Sequence, residues 1–162
     1  MPHNGTQPAT STRIESCMQV SEVMTRQVET VPPDASLQKA AATMEAMGVG
    51  SLPVCQGRRL LGTITDRDIV VRGVATGASP VDMLVRDCMT SDIAYAYEDE
   101  EVDAVLERMK ALQIRRLAVL DRQKNLVGIV ALGDIAVEPR ATDAKHLGDT
   151  LTEISERSFP DK

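Results

Sequence analysis

Two short stretches hold the residues best suited to chemistry. The first is Gly62-Thr63-Ile64-Thr65-Asp66-Arg67-Asp68, where a β-branched run gives way to polar, helix-starting residues. At such a strand-to-helix junction, free backbone N–H groups and the positive end of the helix dipole point outward, which suits an anion such as phosphate. Thr65 adds a hydroxyl at the turn. Asp68, one turn in, adds a carboxylate able to accept both hydroxyl protons of a ribose diol. Both residues also have a local use: Thr65 can cap the helix, and Asp68 is favoured at its N-terminus. The second stretch is Ile114-Arg115-Arg116-Leu117, conspicuous in a chain of net charge −6. Strand alternation sends adjacent side chains to opposite faces, so one arginine at most enters a given cleft easily. The planar guanidinium fork suits phosphate. A salt bridge to the many acids is the competing use.

Catalytic arrangements are poorly represented. His3 falls in a polar N-terminal stretch and His146 in the tail, so no Ser/His or Cys/His dyad emerges. Cys17, Cys55 and Cys88 are odd in number and lack metal-type spacing, which favours reduced, structural thiols over a redox pair. Glu98-Asp99-Glu100-Glu101 sits at a helix start, where acids are favoured anyway, and reads as a solvated capping cluster. No glycine-rich lysine loop of the Walker type is present. With 2% aromatics, no Trp and an acidic balance, general nucleic-acid binding is disfavoured. No apolar run reaches membrane-spanning length. Met1 to Thr12 has no apolar h-region, so a cytoplasmic location is expected.

The elements that must position these residues occur twice. Val20–Ile69 and Val85–Ile135 align almost residue for residue: Met24-Thr25 with Met89-Thr90, Met44 with Met109, Leu52 with Leu117, Val54 with Val119. After the polar loop at 56–59 the register slips by one residue, so that Gly62 matches Gly128 and Asp68 matches Asp134. Such a repeat is the first fact to settle about an architecture. Each copy reads as a strand (28–31; 94–97), a helix (37–47; 101–112), a strand pair (52–55 with 60–65; 116–120 with 126–131) and a second helix (from 65 or 66 to about 74; 132–137). A short helical turn at 20–24 precedes the first copy. The expected divisions are an N-terminal arm 1–16, copies at 17–75 and 82–137, a linker 76–81, and a tail 138–162. In the tail, Ala144, Leu147, Leu151 and Ile154 form an apolar stripe.

Read in order, each copy shows Val-Met-Thr, a strand, Ser-Leu-x-x-Ala-Ala-x-x-Met, Leu-Pro-Val and Gly-Thr-Ile-Thr-Asp-Arg-Asp-Ile, or their counterparts. The pattern resembles the cystathionine-β-synthase (CBS) domain, here as a tandem pair (a Bateman module) over roughly Gln19 to Val137. The resemblance implies an α+β fold with the copies packed about a pseudo-twofold axis and two clefts between them. It implies that residues matching Thr65 and Asp68 hold phosphate or ribose, and that arginines placed like Arg115 and Arg116 lie beside phosphates held mainly by the neighbouring copy. Thr63, Val20, Val49, Gly50 and Ile114 complete the candidate set. Small Gly50 and Ser51 would leave room for a base between the Val20 and Val49 side chains. In the second copy Asp134 persists, but Ala131 replaces the threonine and Gly133 the arginine, which leaves its cleft empty, weaker, or used by part of an extended ligand. The implied function is a non-enzymatic sensor of an adenosine-containing regulatory ligand (AMP, ADP, ATP or NAD), with no obligatory cofactor. It would act as a homodimer, with output to an unidentified protein partner or through the tail. The alternatives are a ligand-free interaction module with vestigial clefts, or a thiol redox sensor.

Overall fold

A computed structural model describes residues 18–138 and 144–155. The arm 1–16 and Cys17 lie outside these residues. Chain order is α1 (Val20–Val23), α2 (Leu37–Met47), β1 (Ser51–Gln56), β2 (Arg59–Thr65), α3 (Asp66–Asp68), α4 (Val85–Cys88), β3 (Tyr95–Tyr97), α5 (Val102–Leu112), β4 (Arg116–Leu120), β5 (Leu126–Ala131), α6 (Leu132–Ala136) and α7 (Ala144–Ser155). The fold is α+β. The first copy's second helix is irregular: α3 runs into a π-helical turn at Ile69–Gly73 and a 3-10 turn at Val74–Thr76.

Apolar spacing builds two cores. Leu37, Ala40 and Met44 face inward from α2, and Val102, Val105, Leu106 and Met109 from α5. Ser36 Oγ accepts the Lys39 N–H at 3.2 Å and so caps α2. The strand pairs β1–β2 and β4–β5 are antiparallel, and each carries one register irregularity at the matching place, Val54/Cys55 and Val119/Leu120. The extra residue of the second copy sits in its hairpin. There Asp121 accepts from the N–H groups of Gln123 (2.9 Å) and Asn125 (2.8 Å), and Lys124 takes φ 64°.

The leading strand differs between copies. In the second, β3 pairs in parallel with β4 over three residue pairs, and Glu98 N–H extends the ladder to Leu120 O at 3.0 Å. In the first, the expected strand 28–31 is reduced to one bridge, Val31 with Val54. The cause is two imino acids. Pro33 stands where Glu98 stands, and Pro53 where Ala118 stands, so the N–H groups flanking that bridge do not exist.

The copies exchange their leading helices. Val20 and Met24 are buried in the core of the second copy, together with Met18. Val85 and Cys88 are buried in the core of the first. Backbone bonds repeat this symmetry: Val20 N–H to Glu100 O at 2.9 Å, Val85 N–H to Ala35 O at 2.8 Å. The chain following each helix then crosses the other copy's hairpin, with Thr25 bridging Ile129 and Thr90 bridging Thr63. Both crossings run over a glycine. A Cβ at Gly62 would lie 2.5 Å from Thr90 O, and one at Gly128 would lie 2.7 Å from Met24 Sδ and 2.9 Å from Thr25 O. The tail helix α7 packs on the second copy, with Ile154 in its core, Leu147 against it, and Lys110 paired to Glu153 at 2.9 Å.

Candidate functional site

Thr65 closes β2 in extended backbone and caps α3. Its Oγ1 accepts the Asp68 N–H at 3.0 Å and donates to Asp68 Oδ2 at 2.8 Å, while Thr65 N–H donates to the same oxygen at 3.0 Å. The side chains therefore form a reciprocal cap, which is the local use foreseen for them. Among the described residues Asp68 Oδ1 is paired with Arg72, at 3.6 Å, and the side chain keeps 15% exposure. Arg72 is itself held by Cys88 O at 2.8 Å and Thr90 Oγ1 at 3.2 Å. One carboxylate oxygen thus stays open to a ligand hydroxyl, beside a cation that compensates its charge.

Thr65 and Asp68 face a cleft of about 760 Å³ between the copies. From the first copy come Thr63, Thr65 and Asp68; from the second, Thr90, Ile93, Ile114 and Arg116. Thr63 is partly committed, donating from Oγ1 to Leu52 O at 3.2 Å. The carboxylate of one copy and the arginine of the other therefore meet in one cavity.

The apolar wall of this cleft is not the one expected. Val20 is fully buried in the second copy's core and lines no cleft. Val49 lines the other, pseudo-equivalent cleft, of about 260 Å³, with Val28, Met47, Ala131 and Asp134. Gly50 faces Asp66, whose N–H donates to Gly50 O at 3.0 Å. Each cleft draws its helix-start carboxylate from one copy and its aliphatic wall from the other, and the segments that follow the exchanged helices add Val28 and Ile93 to these walls. Ile93 and Thr90 were missed in the sequence reading for this reason. The signal was present in the matched pair Gly62 and Gly128, which marks where each crossing segment must lie.

In the second cleft, Asp134 Oδ2 accepts the Ala131 N–H at 3.1 Å. The alanine supplies no hydroxyl, and Glu138 occupies the position corresponding to Arg72. Between the clefts lies a third cavity of about 970 Å³, lined by Thr65, Arg115, Arg116, Gly133, Asp134 and Leu151 of the tail. Arg115 reaches this central space but neither cleft.

The other candidates resolve structurally. In the acidic stretch, Asp99 pairs with Arg122 at 2.8 Å and Glu100 with Arg108 at 2.6 Å, and Arg122 lies over the Tyr97 ring at 4.3 Å. Among the described residues no group of three His, Cys, Asp or Glu side chains could hold a metal ion. Cys55 and Cys88 are buried. Burial pushes the Cys55 thiol up to about 11. Burial and then Asp87 push Cys88 upward, against Arg72. Both conditions favour the inert thiol. No helix among the described residues is long and apolar enough to cross a membrane.

Comparison with known proteins agrees with this architecture. The chain is 38% identical over 140 residues to the CBS domain-containing protein YhcV of Bacillus subtilis, an alignment covering 86% of this chain and 97% of that one. Among solved structures, Hypoxic Response Protein I, described with two coordinated zinc ions, superposes with a TM-score of 0.67 at 33% identity, over 74% of this chain and 97% of that one. The CBS domain pair of protein MJ0100, solved with 5′-methylthioadenosine and S-adenosyl-L-methionine, gives a TM-score of 0.64 at 27% identity, over 74% of this chain and 94% of its own. The CBS domain model matches residues 20–73 and again 85–139. The chain belongs to the CBS domain family, as a tandem pair of its repeats.

Proposed function

We propose that this chain is a non-enzymatic regulatory module that binds an adenosine-containing ligand in the cleft formed by Thr65, Asp68, Ile114 and Arg116. The observation that carries this reading is that Asp68 of one copy, with one carboxylate oxygen outside the cap, and Arg116 of the other line one cavity against an aliphatic wall. The carboxylate suits ribose hydroxyls, the guanidinium suits phosphate, and Ile93 and Ile114 offer an apolar slot for a base. The two adenosine compounds bound by the MJ0100 pair support the same ligand class. The ligand acts as a regulator by favouring one arrangement of the copies, which requires a difference in its affinity for the two arrangements. Two chains associate in this reading, and the signal leaves through a partner protein or through α7, whose Leu151 borders the central cavity.

Equilibrium dialysis against AMP, ADP, ATP, NAD and GTP tests the proposal. Retention of at least one adenine compound over GTP, reduced in Asp68→Ala, is the expected result. Equal retention by wild type and variant, or none by either at millimolar ligand, points instead to a ligand-free interaction module.

A further inference from the structure

We infer that the two clefts share a single phosphate-binding arginine, so that the chain takes one phosphorylated nucleoside tightly but two unphosphorylated ones. Arg116 lines the Thr65–Asp68 cleft, the Asp134 cleft and the central cavity alike. It is the one cationic side chain lining either cleft among the described residues. Its pseudo-twofold counterpart, Ser51, also lines both. The symmetry thus offers two central positions, and the sequence places a charge at one of them. Arg115 does not substitute, since it lines neither cleft and is itself engaged in an interaction.

The consequence separates sugar recognition from phosphate recognition. Each cleft has its own helix-start carboxylate, Asp68 or Asp134, so ribose hydroxyls can be held in both at once. One guanidinium cannot serve two phosphates from opposite sides at full strength. The Thr65 hydroxyl fixes the Asp68 carboxylate of the first cleft, and Ala131 gives Asp134 no such bond, so the first cleft wins the arginine.

This inference rests on the proposed reading of the clefts as nucleoside sites. Calorimetric titration with adenosine and with AMP, on wild type and Arg116→Gln, tests it. In wild type, adenosine fills two sites per chain. AMP fills one tightly and a second that is weaker by roughly 10- to 100-fold, the worth of a charge-assisted hydrogen bond. In Arg116→Gln the tight AMP site weakens by the same factor and AMP titrates like adenosine. A wild-type urea-unfolding midpoint for the variant shows that its fold is intact. Two equal AMP sites in wild type, a tight site unmoved by the substitution, or adenosine stopping at one site overturns the sharing while leaving the ligand class standing. Failure of both compounds to bind overturns the cleft reading and the inference with it.

Discussion

Asp68 and Thr65 are locked to one another by three hydrogen bonds within a single helical turn, all of them on Thr65 Oγ1 or Asp68 Oδ2. The cap therefore spends one carboxylate oxygen and leaves the other. A helix cap and a ligand site are not alternatives here. The cap fixes the rotamer of Asp68, so its second oxygen is held in place before any ligand arrives, which lowers the ordering cost of binding.

The same bonds give Thr65→Ala a double effect. Loss of the cap costs about 1 kcal/mol of folding stability, read as a lower midpoint in urea unfolding. Adenine-nucleotide binding also weakens, because Asp68 loses both its positioning bond and the neighbouring hydroxyl. The first cleft would then resemble the second, where Ala131 already stands. An unchanged urea midpoint would show that the cap contributes nothing.

Gly62→Ala tests the crossing of the copies. The added methyl would meet Thr90 O at 2.5 Å, a backbone atom fixed by the reciprocal Thr63–Thr90 bonds of 2.9 and 2.8 Å. The backbones must separate, at a cost of about 1–3 kcal/mol. Gly128→Ala costs less, since its nearest neighbour is Met24 Sδ, on a flexible side chain. Urea unfolding of both variants checks the order, and a larger loss for Gly128→Ala would contradict it.

The thiols set a limit at high pH. Cys55 is raised from 9.0 to about 11 by burial, so the folded state keeps a proton that the unfolded chain releases. The associated stability is complete below pH 9 and is lost as pH climbs toward 11. Wild type should lose stability across that window, and Cys55→Ala should lose less. Iodoacetamide at pH 8 should leave Cys55 and Cys88 unmodified until denaturant is added. Ready labelling of the folded protein, seen by mass spectrometry, would revive the redox reading.

Val70, Val71 and Val74 project from the irregular helix of the first copy at 56%, 53% and 57% exposure. Three neighbouring exposed valines favour burial against another chain. Light scattering should find wild type as a dimer and Val70→Lys/Val74→Lys as a monomer. A dimer that survives both changes would place the interface elsewhere.

Much of this could be read from residue order alone. The repeat gave both helices, both hairpins and the one-residue slip, because each depends on local periodicity and turn chemistry. Even the missing first strand was latent in Pro33 and Pro53, which delete the two N–H groups it needs. The exchange of leading helices was not legible in the same way. It assigns Val20 to the second copy's core and carries Val28 to the Asp134 cleft. A through-space crossing leaves no mark on local periodicity. Its trace is the pair of small residues at Gly62 and Gly128, which acquires meaning only when the crossing is seen. Differences between the copies and the family resemblance pointed to Asp68 with either Arg115 or Arg116, and strand alternation left the choice open; in the structure Arg116 lines the Asp68 cleft and Arg115 does not.

The most direct measurement is a thermal-shift titration of wild type and Asp68→Ala with AMP, ADP, ATP and NAD. At 100 times the dissociation constant a ligand adds about 2.7 kcal/mol, or roughly 5–10 °C for a chain of this size. The account predicts a shift of that order with at least one adenine ligand, diminished in Asp68→Ala. A shift left undiminished by the substitution would place the ligand outside the Thr65–Asp68 cleft and contradict the account.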